Sequence, residues 1–115
     1  MTVQFDEVKL GAIYIVNLDD AAGHEQDKTR PAVAMVKHET KLIVVVPFTT
    51  KLESKRFPYT LSVNMSSING LTSDSIALVF QVRPITFRRF EKRIGTLEDE
   101  HISRIKESLS LYLDL

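Results

Sequence analysis

The chain has 115 residues, 43% hydrophobic and 26% charged, with 15 Lys and Arg set against 15 Asp and Glu. These proportions describe one folded domain spanning 1–115 and exclude a disordered chain; the absence of cysteine excludes disulfides and thiolate metal sites. No apolar run approaches the roughly 18 residues of a membrane span, and residues 1–9 lack a signal-peptide core, so a cytoplasmic protein with no membrane partner is expected.

The zero net charge hides a segregation. Residues 28–93 hold 12 Lys and Arg against four acids, Glu39, Glu53, Asp74 and Glu91, and the two ends hold 3 bases and 11 acids. Such a basic middle can present one positive face to a polyanion, or it can simply solvate strand faces and loops.

In chain order, residues 11–18 (GAIYIVNL) put Ile13, Ile15 and Asn17 on one face and Ala12, Tyr14 and Val16 on the other, a strand buried on both sides. A long polar loop, 19–29, follows. Pro31 opens the next strand, PAVAMV, where a missing donor at the first residue is tolerated. A turn at 38–41 leads to LIVVVPF, whose β-branched density marks the centre of the fold. Residues 49–58 read as a basic loop and 59–63 as an edge strand, followed by a turn at Asn69-Gly70. Residues 74–85 (DSIALVFQVRPI) read as one long strand, with Gln81 and Arg83 together on one face near its end.

Residues 86–92 suggest a single helical turn. Thr96, three residues before Asp99, has N-cap spacing for a terminal helix, whose Ile102, Ile105, Leu109 and Tyr112 form a packing stripe. About five strands and one C-terminal helix make a small β-barrel or a strongly curved sheet.

The chemistry concentrates in the loop 23–31, GHEQDKTRP, where five charged or ionisable side chains crowd nine positions between two strands. A plain turn needs no such set. Arg30, at a loop–strand junction, can hold a phosphate with two donors. Glu25 is a proton acceptor on the loop, and Thr49 offers a hydroxyl at the end of the central strand. Gln81 and Arg83 add an amide and a second cation. Each also has a plainer role: a surface charge for Arg30, a side chain to backbone bond for Thr49, an ion pair with Lys28 for Glu25. His24, His38 and His101 lack the spacing of a metal site, so no metal or other cofactor is expected.

Three blocks together resemble a known family: Gly23-x-Glu25-Gln26-x-x-x-Arg30-Pro31-Ala32-Val33, Val46-Pro47-Phe48-Thr49-Thr50-Lys51, and the run from Asp74 to Arg83. They are similar to the signature blocks of the MazF/PemK toxins of type II toxin–antitoxin pairs. The resemblance implies an SH3-like β-barrel of five to seven strands with a C-terminal helix, and a homodimer neutralised by a cognate antitoxin. It implies a ribosome-independent, metal-independent endoribonuclease that cuts single-stranded mRNA and arrests translation and growth.

Carried over residue by residue, it implies Arg30, Thr49 and Glu25 as catalytic. RNA contacts are then expected from His24, Gln26, Lys28, Thr50, Lys51, Lys55, Arg56, Gln81 and Arg83. Either Glu25 or His24 takes the 2′ proton. The chain departs from the family at His24, where Ser is common, and at Phe80, where some members carry an acid, so a second carboxylate base is absent there. The rival reading is a non-catalytic barrel of the CcdB type, which inhibits DNA gyrase by protein contact and lacks the E-Q…R-P signature; an RNA-binding barrel with a decayed site is a third.

Overall fold

The computed structural model describes residues 3–18 and 29–115. They form β1 (Ala12–Asn17), β2 (Thr29–Lys37), β3 (Leu42–Thr49), β4 (Thr60–Val63), β5 (Ser75–Leu78), β6 (Arg83–Thr86), β7 (Phe90–Thr96) and one long helix, α1 (Asp99–Tyr112). All pairings are antiparallel, in the order β4-β5-β3-β2-β1-β7 with β6 also on β3. Among the described residues no pairing joins β4 to β7, so the sheet curves without closing.

The most β-branched strand is indeed central. One edge of β3 pairs β2, while its other edge is shared, Leu42–Val45 pairing β6 and Phe48–Thr49 pairing β5. Alternation then divides the apolar side chains between two cores. Tyr14, Val16, Ala34, Ile43 and Val45 join Phe90 and Val8 on one face. Ile13, Val33, Val46 and Phe48 join Val63, Val79, Leu97 and Ile105 on the other. The helix covers the second core: Ile105 is fully buried, with Ile102 and Leu109 packed beside it. Burying one such Ile is worth roughly 1.5–3 kcal/mol. Tyr112 ends the stripe in ring contact with Tyr59.

Three expectations are corrected. The single strand over 74–85 is broken by a 3-10 turn at Val79–Gln81. Ile76, Ala77, Leu78 and Val79 are all buried, a run that simple alternation cannot produce, and the turn lets the chain re-pair with β3 farther along. Thr96 does not cap α1. It lies in β7, where its Oγ1 accepts from Arg93 Nη2 at 2.7 Å. The helix starts later because Leu97 is buried and its N–H is held by the Gly11 carbonyl at 2.9 Å. Glu98 takes the N-cap position, its carbonyl accepting from the N–H groups of His101 and Ile102. The helical turn expected over 86–92 is a short 3-10 turn, Phe87–Arg89, and β7 takes over from Phe90; Phe90 is the one buried residue of that strand, and charges at Glu91, Lys92 and Arg93 mask its alternation.

Glu98 also ties the helix start to the loop before β5. Ser66 Oγ donates to Glu98 Oε2 at 2.6 Å, and the buried Asn69 donates from Nδ2 to Oε1 at 3.2 Å. Partial burial raises the Glu98 pKa, but the Ser66 hydroxyl, its own backbone N–H, Asn69 and the charge on His101 together hold it below the ordinary carboxylate value. A depressed folded-state pKa stabilises the protein above the unfolded value and ceases to do so as pH falls through the folded value. Glu98→Gln is therefore expected to lower stability by about 1 kcal/mol at neutral pH, the bonds being partly solvated. The deficit shrinks toward zero once acid has protonated the wild-type carboxyl. Urea midpoints of both proteins at pH 7 and pH 3 check this, and an equal deficit at the two pH values would refute it.

Candidate active site

Antiparallel pairing brings the two strongest sequence-derived candidates together. Ala32 pairs with Pro47 and Ala34 with Val45, and the same register carried toward the start of β2 sets Arg30 opposite Thr49. Period-two alternation puts both side chains on the same face of the sheet. They share a cavity of about 320 Å³ lined by Thr29, Arg30, Pro31, Phe48, Thr49, Thr50, Lys51 and Ser75. That is the size of a small-ligand site.

Strand pairing fixes the backbone of each group. Arg30 is half-buried and its neighbour across β1 is Val16. Thr49 is 9% exposed, paired through its backbone with Ile76, and its Oγ1 accepts from the Lys51 N–H at 3.2 Å. The plainer role for Thr49 is thus present, and it orients the hydroxyl without using its proton. Among the described residues the lining holds two cations, Arg30 and Lys51, and no carboxylate. The arrangement offers a bidentate anion clamp, a hydroxyl donor and a second positive charge, a chemistry matched to a phosphodiester.

Ser75 was missed in the sequence. It is 3% exposed and its Oγ donates to the Ser73 carbonyl at 2.9 Å. It reaches the cavity because Ile76, its neighbour, pairs with Thr49, a long-range pairing that no local pattern announces. Gln81 and Arg83 do not line this cavity. The 3-10 turn separates them: Gln81 lies on it and lines a second, largely aromatic cavity with Phe57, Pro58 and Tyr59, while Arg83, in β6, pairs with Val45. Lys55 and Arg56 are exposed at the end of another 3-10 turn, Leu52–Arg56, which begins directly after Lys51. His24, Glu25, Gln26 and Lys28 lie outside the described residues.

No helix among the described residues is long and apolar enough to cross a membrane. In comparisons with known proteins, residues 9–113 match the model of the PemK-like, MazF-like toxin of type II toxin–antitoxin system. The endoribonuclease MazF9 of Mycobacterium tuberculosis is 30% identical over 117 residues, covering 94% of this chain and 98% of that protein. The endoribonuclease EndoA of Bacillus subtilis is 26% identical over 113 residues, covering 94% and 96%. Among solved structures, MazF from Deinococcus radiodurans superposes with a TM-score of 0.75 at 20% identity, covering 94% of this chain and 97% of that one. A MazE-MazF structure from the same organism gives 0.73 at 22% identity, covering 94% and 96%. With a family match running nearly end to end, the chain belongs to the PemK-like, MazF-like toxins of type II toxin–antitoxin systems.

Proposed function

We propose that the chain is a sequence-selective, metal-independent endoribonuclease that cleaves single-stranded mRNA in the cytoplasm, acts as a homodimer and is neutralised by a cognate antitoxin protein. The observation that carries the reading is the convergence of Arg30 and Thr49, from facing strands, on one cationic cavity without a described carboxylate. The endoribonuclease relatives of nearly equal length support it, and the gyrase-binding alternative is not favoured.

The nucleophile is the substrate's own 2′-OH. Its oxygen forms a bond to phosphorus as the bond from phosphorus to the 5′ oxygen breaks, leaving a 2′,3′-cyclic phosphate and a 5′-hydroxyl. Glu25 or His24 takes the 2′ proton. Arg30 clamps the phosphate, stabilises the charge developing on it, and delivers a proton to the leaving oxygen directly or through water. Thr49 donates to the same phosphate while Lys51 adds positive charge. A positioned acid or base contributes about 10²–10⁴-fold, and an aimed donor about 10²–10³-fold.

Purified protein incubated in EDTA with a long unstructured RNA is expected to cut at a recurring short motif, with cyclic-phosphate ends found by end mapping. DNA of the cleaved sequence lacks the 2′-OH and stays intact. Cleavage of that DNA at the rate of its RNA counterpart would exclude this chemistry, and intact RNA in EDTA would overturn the proposal.

A further inference from the structure

Cations collect where β2 turns into β3, and they are held by aromatic rings rather than by carboxylates. Lys37 closes β2. A register shift after Ala34 sets it opposite Ile43, on the side of the first core, instead of on the alternate face. Its Nζ donates to the Val8 carbonyl at 3.0 Å and stands 4.6 Å from the centroid of the Phe5 ring. Lys41, exposed on the turn with φ 71°, puts its own Nζ 4.6 Å from the same centroid. The two ammonium groups therefore lie within about 9 Å of each other, close to a Debye length, so their repulsion is only partly screened. Phe87 meets Phe5 edge-on at 6.0 Å, and the exposed Arg88 guanidinium sits 5.7 Å from the Phe87 centroid.

Among the described residues no carboxylate forms an ion pair with Lys37, Lys41 or Arg88. The acids on the same elements, Asp6, Glu7 and Glu39, are exposed, and Glu7 accepts from the Gln4 N–H at 2.8 Å. Cations gathered this closely without anions raise the local potential and favour a polyanion. Each ring already faces a cation, so the surface offers donors to phosphate oxygens and no stacking platform to a base.

These cations connect to the cavity of Arg30. The Phe87 N–H donates to the Lys41 carbonyl at 3.2 Å, which ties the hairpin to the 3-10 turn Phe87–Arg89. At the other end of that turn Arg89 donates from Nη1 to the Asn17 carbonyl at 3.4 Å. Asn17 pairs with Thr29, which lines the cavity, and the next pair along β1 and β2 is Val16 with Arg30. The turn itself rises only about 4 Å at 2.0 Å per residue. One run of contacts thus leads from Arg30 to Arg88 and on to Lys41 and Lys37.

We propose that Lys37, Lys41 and Arg88 form a phosphate-binding ridge that holds the backbone of the RNA strand beyond the Arg30 cavity, without reading its bases. None of the three belongs to the RNA contacts expected from the sequence. Backbone contacts of this kind position a strand and add affinity that falls as salt rises, and they carry no sequence information. The inference rests on the reading of the chain as an RNA-cleaving enzyme.

The test uses the full chain and two double variants at exposed positions: Lys41→Gln with Arg88→Gln on the ridge, and Arg104→Gln with Lys106→Gln on α1 as the control for net charge. Affinity for a fluorescein-labelled random-sequence single-stranded RNA pool is read by anisotropy across a salt series, in an Arg30→Ala background so that substrate survives. Cut ends are mapped with Arg30 intact, and urea titration verifies folding. Loss of two phosphate contacts is expected to lower the slope of log affinity against log salt by about 1.4, at about 0.7 per contact on a single strand, with the cut motif unchanged. The α1 double variant is expected to keep the slope of its background. An unchanged slope in the ridge double variant would overturn the proposal and leave these cations to an acidic protein surface. So would an equal fall in both double variants, which would report net charge alone, and so would an altered cut motif, which would make the ridge a base reader. Should the wild type leave RNA uncut, the cleavage reading fails by itself, while a lower slope in the ridge double variant alone still upholds the ridge.

Discussion

Arg30→Ala is expected to reduce RNA cleavage by about 10²–10³-fold in both kcat and kcat/KM, the signature of a contact made in the transition state. The strand tolerates the change. Arg30 sits in regular β2, half-buried, so truncation forfeits some packing of its stem but no core side chain. Thermal unfolding should shift by the equivalent of less than about 1 kcal/mol. Arg30→Lys keeps the charge and loses the fork, so it recovers part of the rate but not all. Single-turnover cleavage of a mapped RNA site, beside a melting curve for each variant, checks the set. Wild-type cleavage by Arg30→Ala would remove Arg30 from the mechanism and leave the cavity's cationic role to Lys51.

Thr49 needs a different substitution. Its Oγ1 already accepts from the Lys51 N–H, so Thr49→Val removes a structural bond as well as the proposed donor to the phosphate. Thr49→Ser keeps both and is the informative control: retained cleavage in Ser with loss in Val assigns the effect to the hydroxyl.

The parts of this site that were legible in the sequence are those fixed by local rules. Arg30-Pro31 sits where a polar loop meets a strand, and Thr49 ends a run of β-branched residues, so each could be placed at a strand end without knowing what it faces. The central place of residues 42–49 was legible for the same reason. What could not be read was the pairing of β5 with the far end of β3, which brings Ser75 to the cavity. Nor could the 3-10 turn at Val79–Gln81, where alternation favoured a continuous strand and burial of Val79 in the second core won. That single turn carries Gln81 away from Arg30 and onto the aromatic cavity. The N-cap was misplaced by a similar cause. Thr96 has the right chemistry and spacing, but strand pairing with Ala12 held it first.

The same strand end sets the largest expected loss of stability, at Gly95. A Cβ there would lie 2.4 Å from the Asn69 carbonyl carbon and oxygen and 2.5 Å from the Ile68 oxygen, all of them backbone. No flexible side chain can move aside to relieve the overlap. Across the same contact, Gly70 has φ +73°, and a Cβ on it would fall 1.9 Å from the Ile94 oxygen. The two glycines let the loop before β5 press against β7, where the Thr96 N–H donates to the Ile68 carbonyl at 2.9 Å. Moving the loop outward would break that bond. It would also pull buried Asn69 away from Glu98 and leave its contacts with the Ser66 and Leu71 N–H groups strained. Gly95→Ala is therefore expected to cost about 3 kcal/mol or more by overpacking and lost hydrogen bonds. A urea titration should show a lower midpoint with an unchanged slope. The cavity that Arg30 and Thr49 share is built by β2, β3 and β5 without this contact, so cleavage per folded molecule should hold near wild type. A Gly95→Ala protein within about 1 kcal/mol of wild type would mean that the loop yields freely, and that Asn69 and Glu98 do not fix the start of the helix.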